Sequence, residues 1–351
     1  MIQVFRSPAS LGACALGLCL ATPSLAQETD TLVLAGGTSE TGKVLESGFS
    51  GLSFQPEKGA KKVVPWETVL RVEYWDAPED LQLGLQALNA GNAEAALQPL
   101  EVALAAEGLR APLVQEALFH LSYAEQRAGQ AKEATDGYTK LLADFPKGRY
   151  LRMAGENLLA LKLAENDAAG AQSAVTTLSE GAKGLEGVEA VIGLLEARLL
   201  EGQSKAAEAG QRYAAVEALA GAAPSLVQEA KLGRARMLLG ADKAAEAEPI
   251  FRELTTAGSS ARVLSGAWNG LGELQVKDGR AKKNSERILD ALYAYLRTVV
   301  QYKPLPGEST DEYERALAGA EKCFQLLSEL EQNPEKKRKL RDLEHERHDQ
   351  L

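Results

Sequence analysis

The sequence predicts a mainly α protein: a superhelical array of stacked antiparallel helical hairpins, preceded by a small antiparallel β module. Three observations predict it. Apolar stripes at helical spacing recur along most of the chain, and a small residue returns at a nearly constant interval in every second helix. A β-favouring stretch over residues 31–75 precedes the first of them.

The pattern is plainest at residues 112–146, which read as two helices joined by a turn at Gly129 and Gln130. Leu113, Ala117, Leu118, Leu121 and Ser122 share one face of the first helix, and Ala134, Tyr138 and Leu141 share one face of the second. Pro112 suits a first helical turn, where a missing N–H costs nothing, and Pro146 stops the second helix. Neither helix can cover its own apolar stripe, so the unit requires neighbours.

Beyond Asp76 the unit recurs. Aligning the small residue of each second helix gives Ala96, Ala134, Ala171, Ala207 and Ala247, at steps of 38, 37, 36 and 40. Four residues on come Leu100, Tyr138, Val175, Gln211 and Phe251, of which only Gln211 departs from the apolar pattern. The turns fall at Gly91-Asn92, Gly129-Gln130, Asn166-Asp167, Gly202-Gln203 and Asp242-Lys243, residue types that tolerate tight or left-handed backbone. The string LVQEA occurs at 113–117 and again at 226–230, a displacement of 113 that equals the step from Ala134 to Ala247.

A sixth unit opens with Trp268, Asn269, Gly270, Leu271 and Gly272. Here the chain resembles the tetratricopeptide repeat (TPR) family, whose first helix carries W-x-x-L-G and whose second carries A-x-x-x-F before a proline. Ala247 with Phe251 matches the second signature, Ala134 with Tyr138 nearly so, and Pro146 stands where the proline belongs. The resemblance spans roughly residues 77–330 within a repeat region of 77–333. The repeats exceed the family's usual length of about 34 residues, Gln275 stands where a tyrosine is usual, and residues 280–287 are extra.

The resemblance implies a concave surface lined by the first helices, which takes a protein or peptide partner. Its groove-facing spacing selects Glu116, Phe119, Tyr123 and Gln126, then Glu156, Glu189 and Glu196, Glu229 and Arg236, and finally Glu273. Six of these are glutamates. The expected groove is therefore acidic, suited to basic or polar extended segments, with Phe119 and Tyr123 as apolar anchors. The Lys, Arg and Asn set with which the family holds an acidic peptide terminus is not reproduced.

Residues 1–26 read as an export signal. Arg6 gives a positive start, residues 11–21 an apolar core, and Ser24, Leu25 and Ala26 a small-x-small cleavage site, so the mature chain begins at Gln27 in the periplasm or cell envelope. Residues 11–14 also spell a lipid-attachment motif ending in Cys14, but the apolar run before it is too short and too polar for that use. No later stretch reaches the roughly 20 apolar residues of a membrane span. Cleavage leaves Cys323 alone, which excludes an internal disulfide. The formal charge of −10 argues against nucleic acid and anionic membranes as partners.

Residues 27–76 form the β module. TLVLAGG, GKVLES, GLSFQ, KKVVPW and VLRVEYW are short strand-like runs separated by glycine-bearing turns, and in outline they resemble a small Sm-like or SH3-like barrel. A sheet this small should lean on the first helices. Trp66, Tyr74 and Trp75 serve either its core or a stacked ligand. Residues 37–44 nearly spell a phosphate-binding loop, but Val44 replaces the hydroxyl residue and β-like sequence follows where a helix is required.

No catalytic constellation is recognisable, and the sequence implies no cofactor and no metal. His120 sits between Phe119 and Leu121 on a packed helix, while His345 and His348, with Glu344, lie in a charged tail helix at 334–351. A helix at 312–331 should cap the array and bury Cys323. The reading is a non-enzymatic periplasmic scaffold that holds a protein partner in its groove. The alternative is a cell-envelope factor whose β module binds carbohydrate or peptidoglycan.

Overall fold

The computed structural model describes residues 28–305 and 309–348. The export signal expected at residues 1–26 and the Cys14 motif lie outside the described residues. Among those described, seven hairpins follow one another: α1 (Glu79–Asn89) with α2 (Ala93–Leu104), α3 (Ala111–Arg127) with α4 (Ala131–Asp144), and α5 (Leu151–Ala164) with α6 (Ala168–Gly181). Next come α7 (Val188–Gly202) with α8 (Ala206–Glu217), α9 (Pro224–Gly240) with α10 (Ala244–Ala257), α11 (Ala261–Lys282) with α12 (Ser285–Gln301), and α13 (Asp311–Leu330) with α14 (Pro334–His348).

Six of the seven hairpin turns are built alike. The first helix ends in a left-handed residue, namely Gly91, Gly129, Asn166, Ser204, Asp242 or Lys283. The next N–H reaches back to a carbonyl five residues earlier, as from Asn92 to Ala87 at 2.9 Å and from Lys205 to Leu200 at 2.8 Å. That bond satisfies a carbonyl the helix end would otherwise leave bare, and it aims the chain into the second helix. The fourth turn thus lies at Ser204 and Lys205, two residues beyond the expected Gly202 and Gln203.

The same correction moves the repeat register. In α8 the buried small residue is Ala209, whereas Ala207 is exposed. Tyr213 then takes the apolar position expected at Gln211, and Val216 is buried three residues further on. With Ala209 in place the steps become 38, 37, 38 and 38, and the exception at Gln211 disappears. In α12 the equivalent set is Ile288, Leu292 and Tyr295, all buried. Neighbouring hairpins interlock closely: a Cβ added at Gly270 of α11 would lie 2.3 Å from the Phe251 ring of α10. Cys323 is fully buried in α13, and burial pushes its thiol up to about 12, which leaves it inert.

The N-terminal module is a five-stranded antiparallel sheet of β1 (Asp30–Leu34), β2 (Ser39–Ser47), β3 (Gly51–Pro56), β4 (Lys62–Pro65) and β5 (Val69–Glu73), in the order β4-β3-β2-β1-β5. Leu32, Val44, Leu52, Phe54 and Val64 form its core, with Trp66 and Tyr74 packed against it. Trp66 Nε1 donates to the Gly48 carbonyl at 2.8 Å, and Trp75 stays half exposed. The near phosphate-loop runs directly into β2, so no helix N-terminus faces it.

The sheet is tied to the helices by backbone and by charge. The β2–β3 turn pairs with the α4–α5 loop: the Phe49 N–H donates to Lys147 at 2.8 Å and the Arg149 N–H to Ser47 at 3.0 Å. Arg110, at the start of α3, donates to Asp30 Oδ1 at 2.7 Å and to Asp76 Oδ2 at 2.6 Å. Asp30 is fully buried and also accepts the Val44 N–H at 2.7 Å. Arg110→Met should cost about 2 kcal/mol, less than a fully buried pair, because Asp30 keeps its backbone donors and Arg110 is partly solvated. Hydrogen exchange should then quicken in β1 and β5 but not in α9 and α10.

Candidate functional site on the concave face

The first helices of the third to sixth hairpins bring long polar side chains together on the inner face of the array. Arg152 and Glu156 lie one turn apart on α5 and pair at 2.9 Å. Arg152 also grips both oxygens of Glu229 on α9 at 2.6 Å. Arg198 of α7 reaches Glu156 at 3.1 Å and Glu229 at 3.3 Å, and Arg262 of α11 reaches Glu156 at 2.6 Å. Three guanidiniums thus alternate with two carboxylates, leaving one positive charge in excess.

The cluster is well shielded from water, with Glu229 only 7% exposed. Burial alone would raise the Glu156 carboxyl; Arg198, Arg262 and Arg152 overcome that and hold it well below the usual carboxylate range. Burial likewise opposes the charge on Arg152, and Glu156 and Glu229 more than offset it. The pairs span 77 and 106 residues of sequence, so the third hairpin meets the fifth and the sixth across the concave side. The superhelix is tight enough to close its own groove at this level.

A second layer brings in the last hairpin. Glu312, in the first turn of α13, pairs with Arg236 of α9, and Asn269 of α11 donates to its Oε2 at 2.9 Å and to its backbone carbonyl at 2.8 Å. Arg127 of α3 approaches Glu314 at 3.8 Å. Between the two layers lies a polar cavity of about 390 Å³ bordered by Tyr123, Gln126, Asn157, Arg198, Arg236 and Arg315.

The structure gathers only part of the expected groove set here. Tyr123, Gln126, Glu156 and Arg236 border the cavity, and Glu229 lies in the arginine layer. Gln126 is engaged, accepting from the Tyr138 hydroxyl at 2.9 Å, which in turn accepts from Asn157 at 3.0 Å. Phe119 is a correction: it is fully buried and stacked on Tyr150 at 4.3 Å, so it is core and not an anchor. Glu116 is another, facing a separate space between β5 and α1. Both errors have one cause, because the α4–α5 loop and the β module cover the face of α3 that the family's spacing leaves open.

Glu196 is paired with Arg212 of α8, while Glu189 and Glu273 are exposed and outside the cluster. The inner face is therefore not a row of free acids. Sequence reasoning missed Arg152, Arg198, Arg262, Arg315 and Glu312. The signal was available in part, since each of α5, α7 and α11 carries an arginine facing the same way as the glutamates.

His120 is no general base. Its ring edge meets Phe119 at 5.2 Å and Tyr150 at 5.8 Å, and its Nδ1 is buried without a hydrogen-bond partner. Burial, aided by Arg149, lowers its pKa to about 4. The unfolded chain therefore takes up this proton first, and the stability that neutral His120 carries is present above about 6.5 and lost as the pH falls towards 4. Glu156, held low, adds a further loss as the pH falls through its depressed range. Glu125 works in the opposite sense, because burial and the neighbouring Glu133 push it up to about 7. The stability difference between wild type and His120→Gln isolates the histidine, and it should shift by about 3 kcal/mol against the wild type between pH 7 and pH 4. Among the described residues no group of His, Cys, Asp or Glu could hold a metal ion, and the side chains of Glu344, His345 and His348 lie outside them.

No protein-family model matches the chain, and no curated protein matches it in sequence. Among solved structures it is similar to a tetratricopeptide repeat protein from Parabacteroides merdae, at 18% identity over 76% of this chain and 98% of that one, with a TM-score of 0.42. It is also similar to PilF of Pseudomonas aeruginosa, at 19% identity over 68% of this chain and 95% of that one, with a TM-score of 0.40. A thermophilic TPR protein of Thermus thermophilus gives 19% identity over 68% and 96%, with a TM-score of 0.31. Such likenesses concern the fold alone. The recurring hairpin turns and the 38-residue register of the chain itself carry the conclusion that it is a TPR-like helical repeat array.

Proposed function

We propose that the chain is an exported, non-enzymatic scaffold that holds a polar extended segment of a protein partner at the mouth of the concave cavity. The observation that carries this reading is the convergence of α3, α5, α7, α9 and α13 on one polar space, bordered by Tyr123 and by arginines from separate hairpins. A stack of hairpins uses its inner curve as the working surface because that is where side chains from many repeats meet. A preference for basic segments now rests on the exposed Glu189 and Glu273, since Glu156, Glu196 and Glu229 are already matched by arginines.

Affinity capture from envelope extract with the mature chain tests the reading, with Tyr123→Ala combined with Arg315→Glu as the comparison. Loss of the captured protein by a variant that keeps its helical circular dichroism and still unfolds cooperatively is the expected result. Equal capture by both forms would move the partner off this face. Export is checked separately, by a periplasmic species whose N-terminal residue is Gln27.

A further inference from the structure

The outer edge of β5 borders a groove that the concave-face reading does not use. β5 pairs with β1 on one side and with no strand on the other among the described residues. A space of about 660 Å³ separates it from α1, and all five residues from Val69 to Glu73 border that space. Side chains of a strand alternate between faces, so five in succession can line one groove only if the backbone edge itself faces it. The opposite wall is Leu81 and Leu85 of α1. Five strand residues correspond to about 17 Å of extended chain, enough to seat a short strand.

Natural edge strands are commonly short, charged or covered. This one is weakly guarded. Arg71 and Glu73 neutralise each other at 2.5 Å, and Leu70 beside them is 67% exposed. Glu116 of α3 also borders the groove, half-buried, with no hydrogen bond or ion pair to a described side chain. Arg149 borders the same groove but lies over the Trp66 ring at 4.1 Å and the Tyr150 ring at 5.2 Å. Burial raises the Glu116 carboxyl despite Arg149, as befits an acid short of a partner.

We propose that this groove receives an extended segment of a protein partner, which adds a sixth strand along β5 and sets a lysine or arginine side chain on Glu116. Main-chain hydrogen bonds to the open edge supply the affinity, and the Glu116 carboxylate supplies the preference for a basic residue flanked by apolar ones at alternate positions. None of these groove residues borders the concave cavity, so the two surfaces can be tested apart.

The test uses the whole mature chain and a labelled nine-residue peptide of alternating valine and threonine with a central lysine. Two control peptides carry a central glutamate or N-methyl groups on alternate amides. The lysine peptide should bind at least about tenfold tighter than the glutamate peptide, and N-methylation along one edge should abolish binding. Glu116→Gln should weaken the lysine peptide about tenfold with the melting temperature unchanged or raised. Arg315→Glu should leave it unaffected, and the peptide should slow amide exchange in residues 69–73. Absence of binding, equal binding by the N-methylated peptide, or indifference to Glu116→Gln would overturn the proposal. So would a dimer of this chain that the peptide dissociates, because the edge would then belong to a second copy.

Discussion

Glu229→Ala is expected to destabilise the array by about 3 to 5 kcal/mol. The carboxylate is buried and accepts from Arg152 through both oxygens and from Arg198 through one. Removing it leaves three guanidiniums, Arg152, Arg198 and Arg262, around Glu156 alone. The penalty is the uncompensated positive charge, which sits where water reaches it poorly. Urea denaturation followed by circular dichroism measures the loss, and Glu189→Ala is the control, because that glutamate is exposed and should change stability by less than about 0.5 kcal/mol. Similar midpoints for the two variants would mean that the arginines find water or other partners, and that the closure of the concave side contributes little. Replacing the cluster with apolar residues of similar volume is a different experiment. A matched Arg152→Met, Glu229→Leu pair should recover much of the loss, since a buried ion pair contributes little beyond a well-packed apolar pair.

The array was legible in the sequence because its determinants are local. One small residue, one apolar residue four positions on and one turn residue specify each hairpin, and Ala96, Ala134, Ala171 and Ala247 all stand where that pattern requires. The fourth hairpin shows where local pattern runs short. α8 offers Ala206, Ala207 and Ala209 within four positions, and only the aromatic ring of Tyr213 identifies Ala209 as the packed one. Gly202 drew the turn towards itself because glycine is the usual left-handed residue, yet Ser204 takes that conformation at φ 60°.

The site was less legible, because its contacts are not local. Which face of α3 stays open depends on the α4–α5 loop and the β module, and whether glutamates on α5 and α9 are free depends on how tightly the superhelix closes. No periodicity encodes either. An arginine census along the same helices would still have warned against an acidic groove. Arg152 and Glu156 sit at i and i+4, a spacing that pairs charges on any helix.

Phe119→Ala separates the two readings of α3 most sharply. As a groove anchor, Phe119 would be dispensable for folding and its loss would be felt only by the partner. As placed in the structure, it is fully buried, stacked nearly parallel to Tyr150 with 10° between the rings, and tilted against Tyr138 at 6.1 Å. Truncation removes the ring from the junction of α3, α4 and the start of α5, and should cost about 3 to 5 kcal/mol. Tyr150 also adjoins Arg149, whose backbone N–H bonds to Ser47 in the β module, so the damage should spread to the sheet. Exchange in β2 and β3 is expected to quicken along with that in α3. Tyr123 packs in the core of the first two hairpins but also borders the cavity, so Tyr123→Ala should cost less than Phe119→Ala and probes the cavity in a protein that still folds. A Phe119→Ala protein with a wild-type urea midpoint would return this side chain to the surface and reopen the face of α3 that the β module and the α4–α5 loop are held to cover.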